Sequence, residues 1–155
     1  MATFRGENNA KGVAQPLELV KKNERSGEVM FAVDRIEVPS GAANGDVILM
    51  QELPANAKPL RVKVVPSADL GAGSITVGYS SSEELGDKDA TVAADADAFI
   101  PASDPDGLAE LDMGVAAAGY LAELDKPVFL SVTLATLPAN AVGETITVLL
   151  EYVAK

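Results

Sequence analysis

The sequence predicts a mainly β protein: an antiparallel β-sandwich or jelly roll with an extended N-terminal arm and a short helical insertion. Three observations carry that expectation. Apolar and polar residues alternate over segment after segment, the period-2 signature of strands with one buried face. The segments are short and separated by turns bearing Gly, Pro and Asn. A turn phrase also recurs. Leu53-Pro54-Ala55-Asn56-Ala57 precedes the run Pro59 to Val65, Leu137-Pro138-Ala139-Asn140-Ala141 precedes Glu144 to Leu150, and a looser form, Val38-Pro39-Ser40-Gly41-Ala42-Ala43-Asn44-Gly45, precedes Asp46 to Met50. Pro has a fixed φ and no N–H, so it suits a strand start or an edge. Asn tolerates the left-handed region. The copies are unequally spaced and lead into different segments, which points to recurring turn geometry and not to duplication.

In chain order, residues 1–28 read as an extended arm and 29–155 as the sandwich body. Gly6, Gly12 and Pro16 break any helix in the arm, while Leu17 to Val20 suits a short strand and Lys21 to Gly27 a charged turn. Val29, Phe31 and Val33 alternate with Met30 and Ala32, and Val47 to Leu49 is a short apolar run. Leu60, Val62 and Val64 face inward against Arg61 and Lys63. Ile75, Val77 and Tyr79 share a face opposite Ser74, Thr76 and Gly78, and Ser80 to Asp87 reads as a loop. The alternation lapses over residues 88–126. There Ala93, Ala94, Ala96, Ala98 and Phe99 suggest a short helix ended by Pro101 and Pro105, and Leu108 to Leu124 is ambiguous. Val128 to Leu134 and Ile146 to Tyr152 resume as strands, read as neighbours joined by the second copy of the phrase.

The inventory of side chains narrows the chemistry. The chain has 155 residues, which suits one domain. It has no Cys and no His, which removes disulfides, thiolate chemistry, the commonest metal ligand and the commonest general base. Trp is absent, and the aromatics are Phe4, Phe31, Phe99, Phe129, Tyr79, Tyr120 and Tyr152, a poor set for sugar platforms. The net charge of −11 is uneven: residues 1–36 carry +1 and residues 37–155 carry −12. Such a body repels nucleic acid and anionic membranes. No apolar run approaches the ~20 residues of a membrane span. The start lacks the apolar core of a secretory leader, which predicts a cytosolic product.

Candidate sites are few. Ten carboxylates lie between Glu83 and Asp112 against Lys88 alone. Asp87, Asp89, Asp95, Asp97, Asp104 and Asp106 have the oxygens calcium needs, but their spacing fits no EF-hand, and a solvated acidic surface is the simpler reading. An acid/base carboxylate pair for glycoside hydrolysis has no supporting cleft signal. Ser80-Ser81-Ser82 has no partner base, and Gly71-Ala72-Gly73-Ser74 lacks the third Gly and the helix of a dinucleotide fingerprint. No enzyme, cofactor or metal is expected. Lys21, Lys22 and Arg25 form a basic turn, suited to docking on an acidic partner or simply solvated.

The polar arm, the Val/Leu-Pro-x-x-Ala turns, Asp69 to Tyr79, Asp95 to Ile100 and the closing strand Thr145 to Tyr152 together resemble small structural proteins of tailed bacteriophages, of the head decoration or cement type. The resemblance spans roughly residues 35–153. It implies a β-sandwich body, placement on the capsid exterior, binding to the major capsid protein, self-association as a dimer or trimer, and no enzymatic activity. The arm is then expected to staple neighbours, with Phe4, Arg5, Lys11, Leu17, Leu19, Lys21, Lys22 and Arg25 as contacts. A tail or fibre-base component, or a secreted carbohydrate-binding sandwich, are the alternatives.

Overall fold

The alternating segments stack as two sheets. The computed structural model describes residues 3–5 (backbone), 29–81, 95–104, 111–114, 116–122 and 124–154, and nothing below concerns the remainder. The strands are β1 (Thr3–Arg5), β2 (Val29–Glu37), β3 (Val47–Leu53), β4 (Lys58–Pro66), β5 (Ser74–Ser81), β6 (Asp95–Ser103), β7 (Leu111–Asp112), β8 (Val128–Thr136) and β9 (Thr145–Val153). One sheet has the order β1-β3-β8-β5-β6 and the other β2-β9-β4-β7. All pairings are antiparallel except that of β1 with β3, where Phe4 lies beside Ile48. No helix occurs among the described residues.

The core lies between the sheets. Ile48 and Met50 of β3, Val62 and Val64 of β4, Ile75 and Val77 of β5, and Leu130, Val132 and Leu134 of β8 meet Ile146, Val148 and Leu150 of β9 there, all buried. Burying one such Leu or Ile contributes about 1.5–3 kcal/mol. The five-stranded sheet is buried on its other face too. Leu49, Phe129 and Ser131 are at most 2% exposed and point away from that core. On the same face Thr76 and Thr133 stand opposite one another, and neither buried hydroxyl has a hydrogen-bond partner.

The recurring phrase turns out to mark the corners of the sandwich. Residues 38–46 join β2 to β3, residues 54–57 join β3 to β4, and residues 137–144 join β8 to β9, and each link changes sheet. The expectation that β8 and β9 pair side by side is therefore corrected: β8 lies between β3 and β5, and β9 between β2 and β4. In every copy the Pro carbonyl accepts from the Ala N–H three residues on: Pro39 from Ala42 (3.0 Å), Pro54 from Ala57 (3.2 Å) and Pro138 from Ala141 (3.1 Å). Beyond that bond the two identical copies diverge. Asn56 takes a left-handed φ of 62°, whereas Asn140 does not and Gly143 takes 84° instead. The loose copy matches the second one, with Gly45 at 82° and a following turn closed from Asp46 N–H to Ala43 O, as Glu144 N–H closes on Ala141 O. These two corners also lock together: Val38 donates to Glu144 O and accepts from Gly143 N–H, both at 2.9 Å.

A second correction concerns the Ala-rich run. Residues Asp95 to Phe99, expected as helix, begin β6, and residues 90–94 lie outside the described set. Even the helix preference of Ala is small enough for tertiary pairing to override, and β5 supplies that pairing, joining Tyr79 with Asp95 and Val77 with Ile100. Pro101 does not end the element. It sits within β6 at the end of the sheet order, where a missing N–H is tolerated.

Candidate interaction surface

The outer face of the four-stranded sheet carries the most unusual surface among the described residues. Pairing of β2 with β9 fixes its register without a shift from Val29↔Val153 to Glu37↔Thr145. That register turns Ala32 and Asp34 inward and leaves Val29, Phe31 and Val33 outward, at 61%, 62% and 42% exposure. Three large apolar side chains in a row on one strand are not scattered surface residues of the ordinary kind. Leu149 and Val153 of β9 continue the stripe beside Val33 and Val29. On the far side β4 adds Lys58, Arg61, Lys63 and Val65, opposite Val153, Glu151, Leu149 and Thr147. Phe31, Arg61, Lys63, Leu149 and Glu151 line a shallow groove of about 260 Å³.

Charge is segregated onto this face. The described basic side chains are Arg35, Lys58, Arg61, Lys63 and Lys126, and the first four lie here. Its carboxylates are Glu37, Glu151 and Asp112, so the face carries +1 among the described residues of a strongly acidic body. Arg61 holds Asp112 through Nη2 to Oδ2 at 2.9 Å and a longer Nε contact at 3.3 Å, tying β4 to the two-residue β7. Both partners are nearly half exposed, so the pair orients charge more than it stabilises the fold.

Of the residues expected from sequence to make contacts, Phe4 and Arg5 lie in β1, at the edge of the five-stranded sheet beside Ile48 and Leu49. Lys11, Leu17, Leu19, Lys21, Lys22 and Arg25 lie outside the described residues. Of the calcium candidates, Asp95, Asp97 and Asp104 are described, while Asp87, Asp89 and Asp106 are not. Among the described residues no three His, Cys, Asp or Glu side chains converge on one point, and no helix is long and apolar enough to cross a membrane. The sequence reading missed Phe31 and its neighbours. The available signal was that both alternating sets of β2 are apolar, so one of them had to face out.

This architecture is a two-sheet β-sandwich whose corners cross between sheets. No protein-family model matches the chain, and no curated protein sequence does. Solved structures share the fold. A chain from the capsid of Ralstonia phage GP4 superimposes with a TM-score of 0.74 at 22% identity, covering 99% of each chain. A chain of the capsid asymmetric unit of cyanophage Pam1 gives 0.61 at 15% identity, covering 92% of this chain and 96% of that one. A chain of the acid-stable capsid of Helicobacter pylori bacteriophage KHP30 gives 0.54 at 13% identity, covering 83% and 90%. All three neighbours are components of bacteriophage capsids.

Proposed function

We propose that this protein is a structural component of a bacteriophage capsid, a decoration or cement protein that binds the outside of the major capsid protein shell and stabilises it. The observation that carries the reading is the match, end to end in both chains, to a component of the capsid of Ralstonia phage GP4. The residue inventory agrees with it: with no His or Cys, the chain is poor in catalytic groups and rich in strands and corners. A protein that binds only the assembled shell stabilises that shell by mass action. Self-association as a dimer or trimer would add avidity across a repeating lattice. The N-terminal arm, residues 1–28, is the proposed staple to neighbouring subunits, with Phe4, Arg5, Lys11, Leu17, Leu19, Lys21, Lys22 and Arg25 as its contacts.

Purified particles test the reading. A 16.0 kDa band present in hundreds of copies per particle is expected, whereas a handful of copies would indicate a tail component instead. Deleting residues 1–16, which also removes the edge strand β1, is expected to abolish binding to shells while circular dichroism shows the other strands still folded. Normal decoration by the truncated chain would refute the arm's role.

A further inference from the structure

We infer that the outer face of the four-stranded sheet is a docking surface, and that its occupant is an acidic surface of the capsid shell, with carboxylates set around apolar side chains. This rests on the capsid reading above and names the face and the partner chemistry that the reading leaves open. Two independent features of the face agree. The stripe Val29, Phe31, Val33 and Leu149 offers apolar area whose removal from water favours association. Beside it, Arg35, Lys58, Arg61 and Lys63 form a basic border, and the aliphatic stems of Lys and Arg extend the apolar area while their heads stay polar. Phe31 of the edge strand and Arg61 of β4 line one groove on either side of Glu151, and aromatic and Arg side chains are the types in which binding energy concentrates.

Charge selects the occupant. On a chain of net −11, gathering four of five described cations on one face runs against the average field of the molecule. A like face of a second copy would carry the same net charge of +1, so no net charge attraction favours that occupant. Nucleic acid is disfavoured because the rest of the body is acidic and Glu37, Glu151 and Asp112 are interleaved with the cations. An acidic protein surface meets both the apolar and the charged part, and complementary charge speeds encounter and fixes register.

The test is co-sedimentation of the full-length protein with shells lacking it, across sodium chloride from about 0.05 to 0.5 M, a range that shortens the screening length several-fold. Wild-type binding is expected to weaken as salt rises. Phe31→Ala is expected to weaken binding by about tenfold or more without changing the thermal melt, since the side chain is exposed. Lys58→Glu with Lys63→Glu is expected to weaken it by at least about tenfold and to flatten the salt dependence. Val142→Ser, at an exposed corner outside this face, is the control expected to bind as wild type. If the wild type decorates shells and the face variants decorate equally well, this inference is overturned and the capsid reading stands. Loss of self-association by Phe31→Ala with shell binding intact would also overturn it, assigning the face to a second copy. If the wild type does not sediment with shells at all, both fall.

Discussion

Gly78 and Asp95 approach so closely that no side chain fits between them: a Cβ built on Gly78 falls on the Asp95 carbonyl oxygen, with the Ala96 backbone behind it. The contact is backbone against backbone where β6 begins to pair with β5, at the register shift between Val77 and Tyr79, so neither side can give way by changing rotamer. Gly inside a strand commonly marks such an approach. Gly78→Ala is therefore expected to destabilise the fold by about 1–3 kcal/mol, the usual cost of overpacking, or more. Thermal unfolding measures it. Wild-type stability in this variant would mean that the Asp95 backbone does not lie against Gly78.

The two identical copies of the turn phrase are expected to answer the same substitution differently. Asn56 sits at φ 62°, a region Gly occupies without strain, so Asn56→Gly should change stability by less than about 0.5 kcal/mol. Asn140 is not left-handed and its side chain packs against Gly71, so Asn140→Gly should cost about 1 kcal/mol. Chemical denaturation of the two variants side by side checks the difference.

Thr76 and Thr133 face each other across β5 and β8 with buried hydroxyls that make no hydrogen bond. An unsatisfied buried hydroxyl costs roughly 1–3 kcal/mol. Thr76→Val and Thr133→Val keep the shape and remove that cost, so each is expected to raise the melting temperature. A fall on both substitutions would show that the hydroxyls are satisfied in solution.

Alkaline pH is expected to weaken the fold through two tyrosines. Tyr79 is held above its ordinary value of 10.0, first by burial and second by the Asp95 carboxylate. Tyr152 is raised by burial. Because the unfolded chain releases these protons first, their contribution is complete below about pH 10 and is lost as pH rises through the folded values. Titration of phenolate absorbance should show both ionising late. Asp95→Asn should lower the Tyr79 midpoint while leaving Tyr152 where it was.

Much of this fold is legible in the sequence. Ile75, Val77 and Tyr79 announce their strand and inner face because they are apolar opposite Ser74, Thr76 and Gly78, and Thr145, Thr147 and Glu151 mark the outer face of β9 despite Leu149 and Val153 beside them. Where both sets are apolar, alternation does not distinguish the inner face from the outer one. In β2 the alternation is plain, yet only pairing with β9 decides that Ala32 goes in and Phe31 goes out. The exposed stripe was hidden for that reason. The corners are a different case. Pro54, Asn56 and Pro138 mark turns from sequence alone, but whether a turn returns along the same sheet or crosses to the other depends on partners dozens of residues away. The helix expected near Ala96 failed in the same way, since local preference there is weak and β5 supplies the deciding bonds.

The placement of β8 and β9 sets a timetable for the chain. These are the last two described strands to leave the ribosome, yet β8 fills the gap between β3 and β5, and β9 the gap between β2 and β4. Until they emerge, β2 and β3 have no antiparallel partner among the described strands, and only the β1–β3, β5–β6 and β4–β7 pairs can form. Pairing across such sequence separations closes large loops first and gains contacts afterwards, which makes folding slow. A nascent chain stalled before Val128 thus presents apolar strands awaiting their central partners, and the sandwich closes only after synthesis has passed Val153.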